Sequence, residues 1–447
     1  MLDEVCNAIN KHAQENPNKL ALLDAEAEIT YRDLMDKILQ KSKGINGSDL
    51  FMSIKLSNDI ESVVDYLAAR LAGRVPQIYH PSVSFASKRN TDEHQRIVTR
   101  LMTERNMAGA DAMMSSGSTG EPKQVLVDFE AQNITTNFLN KKALLTKQDI
   151  ELLILPISYS SGLGRLRASL TRGSTCLLVN SPIKFKKLIQ MCSVLPPTSI
   201  GLTPATFRYI HRSLGSKVQL VLKSINSVEF GSASLNQEEI LLVNQIFSES
   251  HTKLFHYGLT EASRSSFLDL KSHNQFEPIG IGEIAPHASI SLERTNDGRF
   301  EEIVIEGRHT AFAVIEGENL SLISKVHTGD IGEISNGQIV LSGRLAQVIS
   351  VGGKDMFPGV LENFCGAIFP NVDFAVVGIN DPLLGQVPVM ITSGGNGLES
   401  SLLSEISEKY ESHWLPRSIL EIESFPLLPS GKIDKVSLQN WCTQNVR

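Results

Sequence analysis

Cysteine is scarce in this sequence. Five residues (Cys6, Cys176, Cys192, Cys365, Cys442) are scattered over 447 positions, odd in number and without a CxxC pair. That excludes a disulfide framework and a cysteine zinc site, and it fits a reducing, cytoplasmic setting. Long hydrophobic runs are also missing: no stretch approaches the roughly 20 apolar residues that cross a bilayer, so no membrane insertion is expected. The start, Met1-Leu2-Asp3-Glu4, is acidic and lacks the basic opening of a signal peptide. No basic run stands out, and the net charge is -7 from 42 basic and 49 acidic residues. Nucleic acid is therefore not an expected partner. What is present, 41% hydrophobic and 20% charged residues, describes an ordinary globular protein. At this length one core is too small a plan, and two or three domains are expected.

The first part alternates strands and helices. Residues 3–15 have helical spacing ended by Pro17, and Leu20–Leu23 reads as a strand. Thr30 is placed to cap a helix over 32–44, with Asp33 three residues on. Strands at 51–56 and 75–79 flank a helix at 59–73, and the polar, basic stretch 81–110 is expected to hold one more helix. This alternation predicts a layered α/β domain. Three further strands each run into a small-residue loop: Leu152–Pro156 into Ile157–Gly162, Ser199–Leu202 into Thr203-Pro204, and Val228–Phe230 into Gly231-Ser232-Ala233. In open parallel sheets ligands bind where strands end, so these loops are candidates to line one cleft. The helix over 163–172 carries Arg165, Arg167 and Arg172, read as a solvated face.

The most chemically loaded stretch is Ser115-Ser116-Gly117-Ser118-Thr119-Gly120-Glu121-Pro122-Lys123. Its glycines let backbone N–H groups approach an anion, its hydroxyls donate, and Lys123 adds charge, a combination suited to a polyphosphate. It is not a Walker A loop, because the lysine follows the second glycine by three positions, behind a proline. Further on, Tyr257-Gly258-Leu259-Thr260-Glu261 offers a stacking face, a close backbone approach, a hydroxyl and a carboxylate. From 280 to 345 short alternating strands predict a small antiparallel sheet or barrel, with Asn336-Gly337 as a hairpin turn. Thr328-Gly329-Asp330 lies within it, and Ser342-Gly343-Arg344 closes it. The last hundred or so residues read as a compact α+β unit whose tail, Leu428–Lys435, presents Lys432. Taken singly, Asp330 is an ordinary turn residue, Lys432 a solvated tail charge, and Glu261 a carboxylate at a helix start.

Together, in this order, the segments resemble the adenylate-forming superfamily of acyl- and aryl-CoA synthetases, luciferases and peptide-synthetase adenylation domains. Ser115–Lys123 is similar to its phosphate-loop signature and Tyr257–Glu261 to its YGxTE. Thr328–Asp330 matches its TGD. Gly343-Arg344, continuing through Gly353, Pro358 and Glu362, resembles its hinge. Pro426–Lys435 is similar to its PxxxxGKxxR, with Lys435 where the family has arginine. The resemblance spans nearly the whole chain. It implies an α/β fold with a large N-terminal domain of layered sheets plus a small β-barrel-like subdomain (1–342), and a small mobile α+β C-terminal domain (343–447).

The resemblance also implies the chemistry. A carboxylic acid attacks the α-phosphate of ATP, pyrophosphate leaves, and the acyl group passes to coenzyme A or the phosphopantetheine arm of a carrier protein. Ser115, Ser116, Gly117, Ser118, Thr119, Gly120 and Lys123 would hold phosphates, Thr260 the α-phosphate, and Glu261 the Mg²⁺ ion. Gly231, Ser232, Ala233, Tyr257 and Gly258 would border adenine, Asp330 and Arg344 the ribose, and Gly353 the thiol side. Lys432 would bridge the substrate carboxylate and the α-phosphate. Besides Lys435, three positions depart from the pattern: Gln124 after Lys123, Ala346 after the hinge arginine, and Ser350 where a lysine is common. Ala346 bears on the second half-reaction, not on adenylation.

For the acid, Ser158, Tyr159, Gly162, Phe207, Glu229, Phe230 and His256 are candidate pocket walls. The stretch 157–161 has no carboxylate to meet an α-amino group, which disfavours an amino acid. Tyr159 and Phe207 suit an aryl or medium-chain acid, and the short chain resembles the o-succinylbenzoate-CoA synthetases. A carrier-protein-loading enzyme is the other expectation, and a non-catalytic nucleotide-binding homologue the contrasting one. Retention of both Glu261 and Lys432 favours the enzyme.

Overall fold

The computed structural model describes residues 3–82, 91–116, 122–180, 182–233, 235–273, 279–369, 372–428 and 432–445. Helix starts are set by short polar side chains. Asp3, Thr30, Asp59, Thr91, Asp128, Thr203 and Asn236 each accept a backbone N–H at a helix N-terminus. The Thr30 cap is observed as expected, with Asp33 N donating to Thr30 Oγ1 at 3.2 Å. The helix expected in the polar stretch is Asp92–Glu104.

A nine-stranded sheet runs in the order Glu283–Ile284, Ser266–Asp269, Thr252–Tyr257, Ser227–Phe230, Ser199–Leu202, Ile150–Leu153, Thr175–Leu178, Leu20–Leu23 and Glu28–Thr30. From Thr252–Tyr257 to Leu20–Leu23 neighbouring strands are parallel. Four of these, Thr252–Tyr257, Ser227–Phe230, Ser199–Leu202 and Thr175–Leu178, are buried at every position, as strands covered on both faces must be. Parallel pairing brings the loops after Tyr257, Phe230, Leu202 and Leu153 to one edge.

A six-stranded sheet, ordered Asn319–Leu322, Ala313–Glu316, Pro122–Asp128, Ala110–Ser116, Val75–Tyr79 and Phe51–Lys55, carries the phosphate-loop stretch. Ala110–Ser116 and Pro122–Asp128 are antiparallel, with Ser115 opposite Lys123. The two strands thus pair as the arms of a hairpin. The barrel-like region appears as a four-stranded antiparallel sheet, Ala288–Arg294, Glu301–Gly307, Val326–Ser335 and Gln338–Arg344. Asn336 and Gly337 turn its last hairpin with φ of 51° and 76°, as a type I′ turn requires.

The last sheet contains Lys354–Met356, Ile349–Val351, Gly385–Ser393, Asp373–Asp381 and Ser418–Glu421. The chain changes sheets between Arg344 and Ile349, so the expected boundary at 342/343 falls within the strand Gln338–Arg344. Phe357 and Phe300 meet edge to face across it, 5.6 Å apart, and Arg212 donates to Asp373 at 2.7 Å.

The arginines of the helix Ser160–Arg172 correct the sequence reading. They are buried. Arg165 binds Glu151 and Glu229, Arg167 binds Asp111, and Arg172 binds Glu151. The helix is covered on both sides, so its cations need carboxylates rather than water.

Candidate active site

Four separate segments converge at the edge where the parallel strands end. Tyr257 closes a buried strand, and its hydroxyl donates to Asp330 Oδ2 at 2.8 Å. Arg344 Nε donates to the other oxygen, Oδ1, at 2.7 Å. Asp330 is held from behind, its N–H bonded to Thr328 Oγ1 at 3.0 Å while that hydroxyl donates to Ile303 O at 2.7 Å. Each carboxylate oxygen has two acceptor sites, so Asp330 keeps capacity for further donors. Burial, and then the neighbouring Asp330 charge, push the Tyr257 phenol well above its ordinary pKa; it stays a donor.

Thr260 and Glu261 lie in the turn after Gly258. A Cβ at Gly258 would stand 2.6 Å from both Ala262 O and Arg264 N, so only glycine fits. Glu261 is anchored through its backbone, its O accepting Ala311 N at 2.7 Å. Its side chain meets Lys123 Nζ at 2.7 Å, which brings the phosphate hairpin onto the Tyr257–Glu261 turn. Ser115 Oγ is buried and without a hydrogen-bond partner. Gly117, Ser118, Thr119 and Gly120 lie outside the described residues, as does the side chain of Ser116.

Lys432 comes from the C-terminal unit, in a loop closed by Leu428 N to Lys432 O at 2.8 Å and Asp434 N to Pro426 O at 2.8 Å. The residue keeps access to solvent. Partial desolvation of its ammonium, and then Arg344, lower its pKa, while Asp330 and Glu261 act the other way. The same loop leads to Lys435, which donates to Glu362 at 2.7 Å. A lysine here makes an ion pair with the hinge-motif glutamate.

Gly231 and Ser232 follow the strand Ser227–Phe230, and Ser232 has a left-handed φ of 72°. Gly353 pairs with Gly352 in a tight hairpin at φ 82° and 58°, outside the cluster around Asp330. Ala346 sits in the short 3₁₀ turn Leu345–Gln347 and Ser350 in the strand after it.

The acid-side candidates divide. Phe207 and Phe230 are fully buried and meet edge to face at 5.4 Å. They belong to the hydrophobic core beside the sheet. Glu229 is also buried, engaged by two arginines and His256. Gly162 is in the first helical turn rather than a loop, since the helix starts at Ser160. Ser158 remains, buried with an unpartnered hydroxyl. So does Tyr159, which stacks on His80 with centroids 6.0 Å apart and 20° between planes. Burial pushes the Tyr159 phenol up to about 12 and lowers the His80 pKa. His80 and Arg264 escaped sequence reasoning; both lie outside any motif, and Tyr159 and Glu229, which they meet, are distant in the chain.

No group of three or more metal-ligating side chains occurs among the described residues. Glu261 alone fits a magnesium ion of the kind that takes one or two carboxylates and draws its other ligands from phosphate and water. No helix among the described residues is long and apolar enough to cross a membrane.

The model of the family described as "AMP-binding enzyme" matches residues 73–311. The chain is similar to the 2-succinylbenzoate–CoA ligase of Staphylococcus epidermidis, 22% identical over 473 aligned positions that cover 97% of each protein. Its fold is similar to the o-succinylbenzoate CoA synthetase of Bacillus subtilis solved with the acyl-adenylate OSB-AMP. The TM-score is 0.78 at 20% identity, over 97% of this chain and 98% of that one. The amide bond synthetase of Marinactinospora thermotolerans gives a TM-score of 0.78 at 16% identity, over 98% and 99%.

Proposed function

We propose that this chain, which belongs to the family of AMP-binding enzymes, activates a carboxylic acid as acyl-AMP and hands it to a thiol. One observation carries the reading. Asp330 is gripped by Tyr257 and Arg344, and Lys432 arrives from the C-terminal unit within electrostatic range of Asp330, Arg344 and Glu261. A carboxylate approaching a triphosphate meets strong like-charge repulsion, and a cation positioned where charge develops removes much of that barrier. Lys432 is the group proposed for that point. Lys123, Thr260 and the unpartnered Ser115 hydroxyl are proposed for the phosphates, and the Asp330 carboxylate for the ribose hydroxyls. Gly231–Ala233, Tyr257 and Gly258 would border adenine. Glu261 would hold Mg²⁺, which supplies charge neutralisation on the phosphates.

The lid role of residues 343–447 is part of the same proposal. Lys432 lies on that unit, so its movement would carry the ammonium to and from the reacting atoms. Coenzyme A is the favoured acceptor, because the curated relative is named a CoA ligase; a carrier-protein arm is the alternative. An aryl or medium-chain acid is favoured by the His80–Tyr159 wall and by that relative's substrate, 2-succinylbenzoate. ATP, coenzyme A and five free cysteines fit a cytoplasmic setting.

The test is acyl-CoA formation by the purified protein with ATP, Mg²⁺ and coenzyme A against 2-succinylbenzoate, benzoates, and six- to twelve-carbon fatty acids. A thioester with one acid class, accompanied by AMP, supports the reading and names the substrate. Acyl-AMP formation without thioester would exclude coenzyme A as the acceptor.

A further inference from the structure

Glu229 has no place in the motifs, yet it is the most heavily engaged carboxylate near the site. It sits on a strand buried at every position, one residue before Phe230 and two before Gly231. Its Oε1 accepts from Arg264 Nε at 2.7 Å and lies 2.8 Å from His256 Nδ1. Its Oε2 accepts from Arg165 Nη1 at 2.7 Å and from Arg264 Nη2 at 3.2 Å. Glu229, Arg165 and Arg264 are each 1–2% exposed. Three arginine hydrogen bonds and the close His256 ring hold the carboxylate, which cannot turn without losing a contact.

Each partner belongs to a different segment that borders the site. His256 immediately precedes Tyr257. Arg264 follows Glu261 by three positions, holds a left-handed φ of 55°, and reaches Ser161 O through Nη2 at 3.4 Å. Arg165 is on the helix that opens after Ser158-Tyr159, and its other face clamps Glu151 through Nε at 2.5 Å and Nη2 at 2.9 Å. Glycines make room for these side chains. A Cβ at Gly164 would stand 2.5 Å from Arg264 Nη1, and one at Gly201 or Gly231 would overlap Arg165 or the His256 ring. Charges buried this deeply are costly unless fully paired, and a plain core could have been apolar.

We infer that Glu229 is a positioning residue. Through Arg264, Arg165 and His256 it locks the Ser158–Ser161 segment, the Gly231–Ala233 loop and the Tyr257–Glu261 turn into one rigid unit. The roles of those segments rest on the proposed function; the locking does not.

The test displaces Arg264 without removing a charge. Gly164→Ala gains helix propensity but sets a Cβ against the buried Arg264 Nη1, so a purely structural role predicts at most a change in thermal stability, with ligand binding unchanged. Positioning predicts at least a tenfold weaker ATP dissociation constant by calorimetry, and at least a tenfold lower kcat in ATP–pyrophosphate exchange, with the fold intact by circular dichroism. Glu229→Gln and Arg264→Gln, assayed well below their melting midpoints, should each lower kcat ten- to a hundredfold. The double variant should be no worse than either single one, because both remove the same link. Wild-type ATP affinity in Gly164→Ala, or multiplicative losses in the double variant, would overturn the inference. Failure of the wild type to catalyse exchange would count against the proposed function, while ATP affinity would still decide the positioning role.

Discussion

Lys123 Nζ lies 2.7 Å from Glu261 Oε1, joining two motifs 138 positions apart in the chain. Each side chain is partly buried, at 26% and 13% exposure. In the proposed reaction both groups serve the triphosphate, Lys123 on its oxygens and Glu261 on the magnesium ion. The pair keeps each charge compensated until phosphate and metal separate them. Glu261→Gln should therefore leave the protein folded, lower kcat on the order of 100-fold, and weaken the Mg²⁺ dependence of exchange, which a magnesium titration reads.

Lys432 should show its surroundings in the pH profile. Its pKa lies below the ordinary 10.5, from partial desolvation and then from Arg344. Bridging two anions needs the protonated form, which is lost as pH rises through the lowered value. The alkaline limb of the adenylation rate should thus have its midpoint below 10.5. In Lys432→Arg, whose guanidinium stays protonated, that limb should disappear from whatever activity remains. A wild-type rate constant to pH 10.5 would contradict this.

Lys435 should be replaceable by arginine but not by alanine. It donates to Glu362, which also accepts Val376 N at 2.7 Å, so the pair ties the hinge-motif helix to the C-terminal tail. Lys435→Ala should cost about 1–3 kcal/mol, the range for a hydrogen bond to a charged group, and lower the melting midpoint. Lys435→Arg should keep the wild-type midpoint within a degree or two.

His309 should make stability pH-dependent. Burial, and then His287, hold its pKa at about 4 against an ordinary 6.5, and its Nε2 lies 2.8 Å from Ser265 Oγ. The unfolded chain then binds more protons than the folded one between those values. Stability should rise with pH across that window and fall on acidification, by on the order of 3 kcal/mol in total. Melting midpoints measured from pH 4 to 7 should show a shallower slope in His309→Gln.

Gly258→Ala should fail for backbone reasons. The new Cβ would meet Ala262 O and Arg264 N at 2.6 Å, and neither can swing away as a side chain could. Activity should drop at least tenfold and stability by about 1–3 kcal/mol, as exchange assays and thermal melts would record.

The motif residues were legible because their chemistry is concentrated in short stretches. Tyr257, Gly258 and Glu261 fall within five positions, and Thr328-Gly329-Asp330 are contiguous. Helix starts were legible for the same reason, as at Thr30 and Asp33. The buried charges were not. Arg165 looks like a solvated residue until Glu151 and Glu229, 14 and 64 positions away, are seen to enclose it. Periodicity places a residue on a helix face without saying what covers that face, and a helix covered on both sides has no solvated one. Phe207 and Phe230 are a second case of tertiary packing that the sequence does not show. Aromatic residues after strands can line a pocket, but these two turn under the sheet against Phe247 and each other.

The most direct measurement is ATP–pyrophosphate exchange by the wild type and Lys432→Ala across aryl, medium-chain, dicarboxylic and amino acids, with ATP affinity measured in parallel. The expected result is exchange with one class of acid, reduced at least 100-fold in the variant while ATP binding stays within a few fold. Exchange undiminished in Lys432→Ala, or ATP binding by the wild type with no exchange for any acid class, would contradict adenylation at this site.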